Sequence, residues 1–317
     1  MTIRALMNMM TAVSMFILLG FFVREFVKPL QKLFLPASLI GGLVMLALGQ
    51  QGVGLITVPK VLGSVPGVLI DIVMVSLVFG VSFNRKQLHS YLDYVCLPMP
   101  SYGMQMCVGT LLGAFLRGAW PGLPVGWGVL GVFSFHGGHG TAAAAAASFE
   151  KLGYEGHMAI AMVLSTVGLI MAMTVGMVLV NYGIRKGWGT YVKEPTKQPD
   201  YFYGGALPAD QRKSVGTTVT TSISINHLAL QFAWLMGALF IGQQIFAGLN
   251  TFPAFKALHL PSVLHGVVGG AVMWRLIELF HLEKFVDLKT VKLLSGFFLE
   301  LVVFTAMATL NLKFVST

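Results

Sequence analysis

Apolar residues run through this chain in long blocks, and Lys, Arg, Pro and Gly collect in the gaps between them. A helix that spans a bilayer needs about 20 mostly apolar residues. The blocks 5–23, 34–49, 65–83, 92–116 and 157–182 read as five such spans, with a shorter, interrupted segment, 126–150, before the fifth. From Arg185 to about Ser224 the chain turns polar, and three more spans are predicted at 225–249, 260–280 and 293–310. The expected fold class is all-α integral membrane. It divides into a first transmembrane repeat over 1–187, a linker over 188–224 and a second repeat over 225–317.

Composition agrees with this reading. A chain of 317 residues that is 56% hydrophobic and 10% charged lies outside the usual range of soluble domains. The net charge of +9 does not point to nucleic acid, because the basic residues flank apolar spans instead of forming one face or tail. Arg24, Lys28, Lys32, Arg85, Lys86, Arg185 and Lys186 fall on one side, against Arg4, Lys60, Arg117 and Lys151 on the other. The richer side is expected to be cytoplasmic, which places the linker 188–224 in the cytoplasm of a multi-pass inner-membrane protein. Cys96 and Cys107 share one apolar stretch and read as packing residues. The first apolar run has no small-residue cleavage pattern after it and reads as a retained span.

The second block repeats the first. Leu35-Pro36-Ala37-Ser38-Leu39-Ile40-Gly41-Gly42 has a counterpart in Leu260-Pro261-Ser262-Val263-Leu264-His265-Gly266, and Asn84 and Asn311 end corresponding spans. An odd number of spans in the first block makes the second enter the membrane in the opposite sense, the inverted topology of many secondary transporters.

The segment 126–150 carries the chemistry. It is too short to cross the hydrocarbon twice, yet Gly137, Gly138 and Gly140 interrupt its centre. A re-entrant hairpin satisfies both facts, because irregular backbone at membrane depth is tolerated where it lines a cavity or is buried in protein. The run Ala142 to Ala147 follows as a strong helix former, with Thr141 at the place of an N-cap. A helix N-terminus at the tip favours a carboxylate, and carbonyls freed by the break suit a small cation. The expected substrate site is therefore Gly137, Gly138, His139, Gly140, Thr141 and Ala142. His136 and His139, three apart, lack a third ligand or a base nearby, so a catalytic zinc is not expected. His139 reads as a neutral residue that fixes the tip or touches substrate, and packing between glycines is the plainer alternative.

Ionisable groups inside spans are functional candidates. Asp71 and Glu300 are the clearest acids. With Asn84 and Ser134 they form a secondary set for the cation. Asp71 is expected about a third of the way into its span, near the headgroups, and Glu300 nearer the middle of its own. Each also fits a local pairing role, and the asparagines also fit helix caps. Arg275 and Glu278 read as an i,i+3 ion pair.

Gly137-Gly138-His139-Gly140-Thr141 followed by small residues resembles the pore-loop motif of the bacterial sodium/glutamate symporter family. Leu35-Pro36 leading to Gly41-Gly42, Asp71 before Ser82-Phe83-Asn84, and Met307-Ala308 leading to Leu312-Lys313 resemble family segments in the same order. The resemblance implies an elevator-like homodimeric transporter of two inverted halves, with no cofactor and no enzymatic activity. It would import glutamate or a related carboxylate with sodium as coupling ion, surrounded by lipid. In the family a small hydroxyl residue usually precedes the Gly-Gly pair and a glycine follows the threonine; His136 and Ala142 stand there in this chain. Repeat spacing puts the partner of the break beyond Thr317, so the second repeat is expected to be incomplete and the chain a fragment, a truncated product or part of a larger assembly. A non-transporting remnant that pairs with a full-length partner, and a membrane metalloenzyme, are the alternatives.

Overall fold

The computed structural model describes residues 3–32, 35–81, 92, 96, 98–188, 207–221, 225–257, 260 and 262–310. The regular elements among them are helices. The first, α1 (Ile3–Phe26), buries only Val13 and Gly20, so it meets the rest of the molecule along a narrow line. α2 (Ala37–Leu48) starts directly after Pro36, and α3 (Val65–Val78) carries Pro66 in its first turn after the 3₁₀ turn Lys60–Ser64. Proline suits both places, since a first-turn residue has no helical acceptor for its N–H. α4 is Pro98–Ala119, α5 Leu130–Lys151, α6 His157–Met171 and α7 Met177–Arg185, with a π-helical turn, Ala172–Gly176, between the last two. α8 (His227–Leu249), α9 (Val263–Leu279) and α10 (Leu288–Ala308) follow, and two short helices, Lys28–Lys32 and Pro253–Ala257, lie in the connections.

Among the described residues four stretches are long and apolar enough to cross a membrane: Ile3–Phe26, Lys60–Val78, His227–Leu249 and Leu288–Ala308. α2 and α9 are shorter than the predicted spans that contain them. Both are rich in glycine and well buried, so the helices around them pack at backbone distance.

Three apolar cores form among the described residues, and α10 belongs to all of them. One gathers Leu39 and Ile40 of α2, Ala142 and Ala146 of α5, Ala161 and Met162 of α6, and Met307 of α10. A second gathers Ile70 and Val75 of α3, Leu235 of α8, Ile277 of α9 and Val291 of α10, and a third gathers Val13 of α1, Met45 of α2, Leu62, and Phe304 and Ala308 of α10. Between the cores α3 and α10 run together, joined by a 2.6 Å bond from Ser76 Oγ to Ser295 Oγ.

The glycine pairs make matching contacts in the two halves. A Cβ on Gly41 would overlap the Phe16 carbonyl of α1, and one on Gly42 would lie 2.7 Å from the Phe304 carbonyl oxygen of α10. In the second half a Cβ on Gly269 would overlap the Ala238 carbonyl of α8, and one on Gly270 would lie 2.8 Å from the Val75 carbonyl oxygen of α3. The contacts pair Gly41 with Gly269, almost one helical turn later than the alignment of Leu35 with Leu260 predicts.

The polar segment before α8 is anchored at the start of α10. Asp287 caps that helix: Oδ1 accepts from the Lys289 amide at 3.3 Å, and Oδ2 accepts from the Thr290 hydroxyl at 2.6 Å and the Thr217 amide at 2.9 Å. Gln231 of α8 braces the same turn, accepting from the Asp287 amide at 3.0 Å and donating to the Phe285 carbonyl at 3.0 Å. His227 Nε2 lies 3.1 Å from Thr290 Oγ1.

Candidate functional site

The site begins at Gly138, whose φ of 66° and ψ of −157° break the helical backbone of α5. That combination is essentially restricted to glycine. On either side the chain is helical, but the two arms do not continue one another. In a straight helix Phe133 and Thr141 would be about 12 Å apart along the axis; here the Thr141 hydroxyl donates to the Phe133 carbonyl at 2.6 Å. Leu130 of the first arm shares a core with Ala142 and Ala146 of the second. At the far end a Cβ on Gly126 would lie 3.3 Å from the Phe149 ring. The segment doubles back on itself.

His157 at the start of α6 holds the base together. It is fully buried, its ring stacks on Phe149 at 4.5 Å and 3°, and Nε2 lies 2.9 Å from the Val125 carbonyl oxygen. The entry and exit of the doubled-back segment are thus fixed to one another through one imidazole.

Thr141 acts differently from the expected N-cap. Its hydroxyl donates across the fold to Phe133 and lies 3.3 Å from the Gly138 carbonyl oxygen, so it fastens the arms instead of accepting from an amide of its own helix. The result is a group of three oxygens at the tip: one hydroxyl and two main-chain carbonyls. Thr141 also lines a cavity of about 320 Å³, together with Ala145 and Ser148 of the second arm, Met74 of α3, and Val263 and Val267 of α9.

The other expected site residues separate. Ala142 is fully buried in the core shared with α6, which leaves its main chain as the part able to serve a ligand at the tip. Ser134 is 2% exposed and its hydroxyl donates to the Ala161 carbonyl of α6 at 3.3 Å, away from the group of oxygens at the tip. Gly137 packs against the Thr141 side chain so closely that a Cβ would overlap it. His139 and Gly140 lie on the second arm, and the placement of the His139 side chain falls outside the described residues. His136 projects at the surface of the tip, where its ring stacks on Tyr102 of α4 at 4.0 Å and 28°.

Asp71 lies on α3, past the middle of the apolar stretch Lys60–Val78. It is 6% exposed, and its carbonyl oxygen meets Gly266 of α9. Glu300 is exposed on α10, so the structure does not bring the two acids to one buried point. Asn84 and Asn311 lie outside the described residues. Arg275 and Glu278 form the expected i,i+3 pair at 2.9 Å. Among the described residues no group of three His, Cys, Asp or Glu side chains is arranged to hold a metal ion.

Sequence reasoning missed Tyr102, Asp287 and the contribution of Val263 and Val267 to the cavity. Asp287 had a legible signal, an acid three residues before Thr290 at the start of an apolar run. The other contacts join residues remote in sequence and carried none.

A doubled-back segment with a glycine-only break thus sits among apolar helices long enough to cross a bilayer. A family model described as sodium/glutamate symporter matches residues 1–317. The chain belongs to the sodium/glutamate symporter family. No curated protein and no solved structure matches it. The symporter is therefore a membrane transport protein and not an enzyme, and sodium and glutamate are the ligands its family supports.

Proposed function

We propose that this symporter imports glutamate or a closely related carboxylate together with sodium, and that segment 126–150 is a re-entrant hairpin supplying half of the substrate site. The observation that carries the reading is the break at Gly138, which places Thr141 both between the two arms and on the wall of the cavity shared with α3 and α9. The main-chain amides of Gly140, Thr141 and Ala142 lie at the start of the second arm, where a helix N-terminus favours an anion. They receive the substrate carboxylate. The Thr141 hydroxyl and the carbonyls of Phe133 and Gly138 offer oxygen ligands of the kind sodium takes, and Asp71, Asn84, Ser134 and Glu300 form a secondary set.

The matched contacts of Gly41-Gly42 and Gly269-Gly270 support an inverted repeat, with residues 1–187 and 225–317 as its halves and 188–224 as a cytoplasmic linker. The distribution of basic residues supports insertion in a bacterial inner membrane. A homodimer is the proposed assembly.

Uptake of labelled glutamate into proteoliposomes containing this chain tests the reading. It predicts uptake that rises with an inward sodium gradient. Thr141→Val, which keeps the shape and removes the hydroxyl, is expected to weaken sodium dependence by about tenfold, equivalent to ~1.4 kcal/mol, while Thr141→Ser retains it. Glutamate uptake indifferent to the sodium gradient would refute the coupling, and an unchanged Thr141→Val profile would remove Thr141 from the ion site.

A further inference from the structure

A second cavity, of about 440 Å³, lies at the end of α10 remote from Asp287, where the last turns of α2 and α10 meet the turn Lys60–Ser64. It shares no lining residue with the cavity beside Thr141. Lys60 belongs to the side with fewer basic residues, so this face is the outer one.

The loop that walls the cavity is fixed by its own bonds. Gln50 Oε1 accepts from the Val58 amide at 3.0 Å and its Nε2 donates to the Val58 carbonyl at 3.3 Å, which clasps the loop across its width. The Val53 and Ile56 amides donate to the Ala47 and Leu48 carbonyls at 2.8 and 3.0 Å, which seals the end of α2. Small-molecule sites of this size join apolar walls to a few placed polar groups. Leu46, Val58 and Ala308 give the apolar wall. Lys60 is the charged residue of the lining, and no acid among the described lining residues offsets it. The Thr309 hydroxyl donates to the Thr305 carbonyl at 2.7 Å, which leaves its oxygen able to accept from a ligand.

We propose that this cavity is an outer capture site for the carboxylate solute that the symporter imports. The Lys60 ammonium binds a carboxylate, the aliphatic part of the solute lies on Leu46 and Ala308, and the Thr309 oxygen accepts from an amino group. A cation beside low-dielectric walls raises the local concentration of anions, so substrate gathers here ahead of the tip. The proposal rests on the carboxylate substrate named above but requires neither Thr141 nor sodium.

Footprinting in intact cells held in sodium-free buffer tests it. A membrane-impermeant amine-acylating reagent is applied with and without glutamate, and acylation of each lysine is read by peptide mass spectrometry. Glutamate is expected to slow acylation of Lys60 about fivefold, equivalent to ~1 kcal/mol, and to leave Lys256 unchanged. Lys256 is exposed and follows α8, which starts beside the start of α10 and therefore ends on the same face as the cavity. A Cβ on Gly63 meets only the Thr309 side chain, at 3.8 Å or more, so Gly63→Leu fills the cavity and is expected to abolish the protection, whereas Thr141→Val retains it. Sulfate at equal ionic strength that protects Lys60 as well as glutamate does would mean charge screening only and would overturn the site. Protection lost in Thr141→Val would place its origin at the tip and would also overturn it. An unprotected Lys60 in a chain that takes up glutamate with sodium would remove the capture site and leave the proposed function standing.

Discussion

At Gly138 one backbone conformation decides the shape of the whole segment. Any other residue placed at φ 66° and ψ −157° costs about 1–3 kcal/mol, so Gly138→Ala is expected to lower the melting temperature of the purified protein and to weaken glutamate binding in the same samples. A variant with wild-type stability and binding would show that the tip does not need the glycine conformation. The need for a break here was legible, because three closely spaced glycines weaken a helix at the depth where lipid leaves the backbone no water to bond. The use of Thr141 was not. Its hydroxyl reaches Phe133 only because the arms have already folded against each other, a contact that no local propensity encodes. The stack of His136 on Tyr102 is hidden for the same reason, since it joins α4 to α5 across more than thirty residues.

Among the elements, α10 shows how a boundary can be misplaced while the helix itself is predicted. The apolar run at 293–310 marked the span, but the helix starts at Leu288 because Asp287 satisfies the first amides. Burial raises the pKa of this carboxyl, but the Thr290 hydroxyl and the amides of Thr217, Lys289 and Thr290 outweigh it and hold the group below its ordinary value. A carboxyl with a depressed folded pKa stabilises the protein fully above its unfolded value, about 3.9 for Asp, and that contribution is lost as pH falls through the folded value. Asp287→Ala is therefore expected to cost about 1–2 kcal/mol at neutral pH, and the gap between the two proteins should narrow below pH ~4. Thermal unfolding in detergent across that range measures it. An equal gap at all pH values would mean that the charge of Asp287 contributes nothing. Because Thr217 lies in the segment joining the halves, the same substitution is expected to release residues 214–217 to proteolysis.

For the whole molecule, the aligned sequence blocks set Gly41 opposite Gly266, whereas the closest contacts liken Gly41 to Gly269, three residues later, because short apolar matches align on composition while close packing aligns on glycine. Gly42 of α2 packs on α10 and Gly270 of α9 packs on α3, each at backbone distance, as the proposed repeat requires. Gly42→Leu and Gly270→Leu are expected to destabilise the protein to a similar degree, by about 1–3 kcal/mol or more from overpacking. A large effect at one and none at the other, measured by thermal unfolding, would count against the inverted repeat. Membrane class was legible from composition alone. The sharing of one helix, α10, among all three cores was not, since buried and lipid-facing apolar residues look alike in sequence.

The central claim is that segment 126–150 enters and leaves the membrane on the same side, carrying its glycine break inward to the substrate. Val125 and Leu152 flank it and are 49% and 55% exposed, while Trp188, beyond α7, is 74% exposed. With the exposed Cys96 and Cys107 replaced by serine, single cysteines at these three positions can be labelled in intact cells with a membrane-impermeant maleimide. Val125→Cys and Leu152→Cys are both expected to react from outside, and Trp188→Cys only after permeabilisation. Reaction of Val125→Cys and Leu152→Cys from opposite sides of the membrane would contradict the claim.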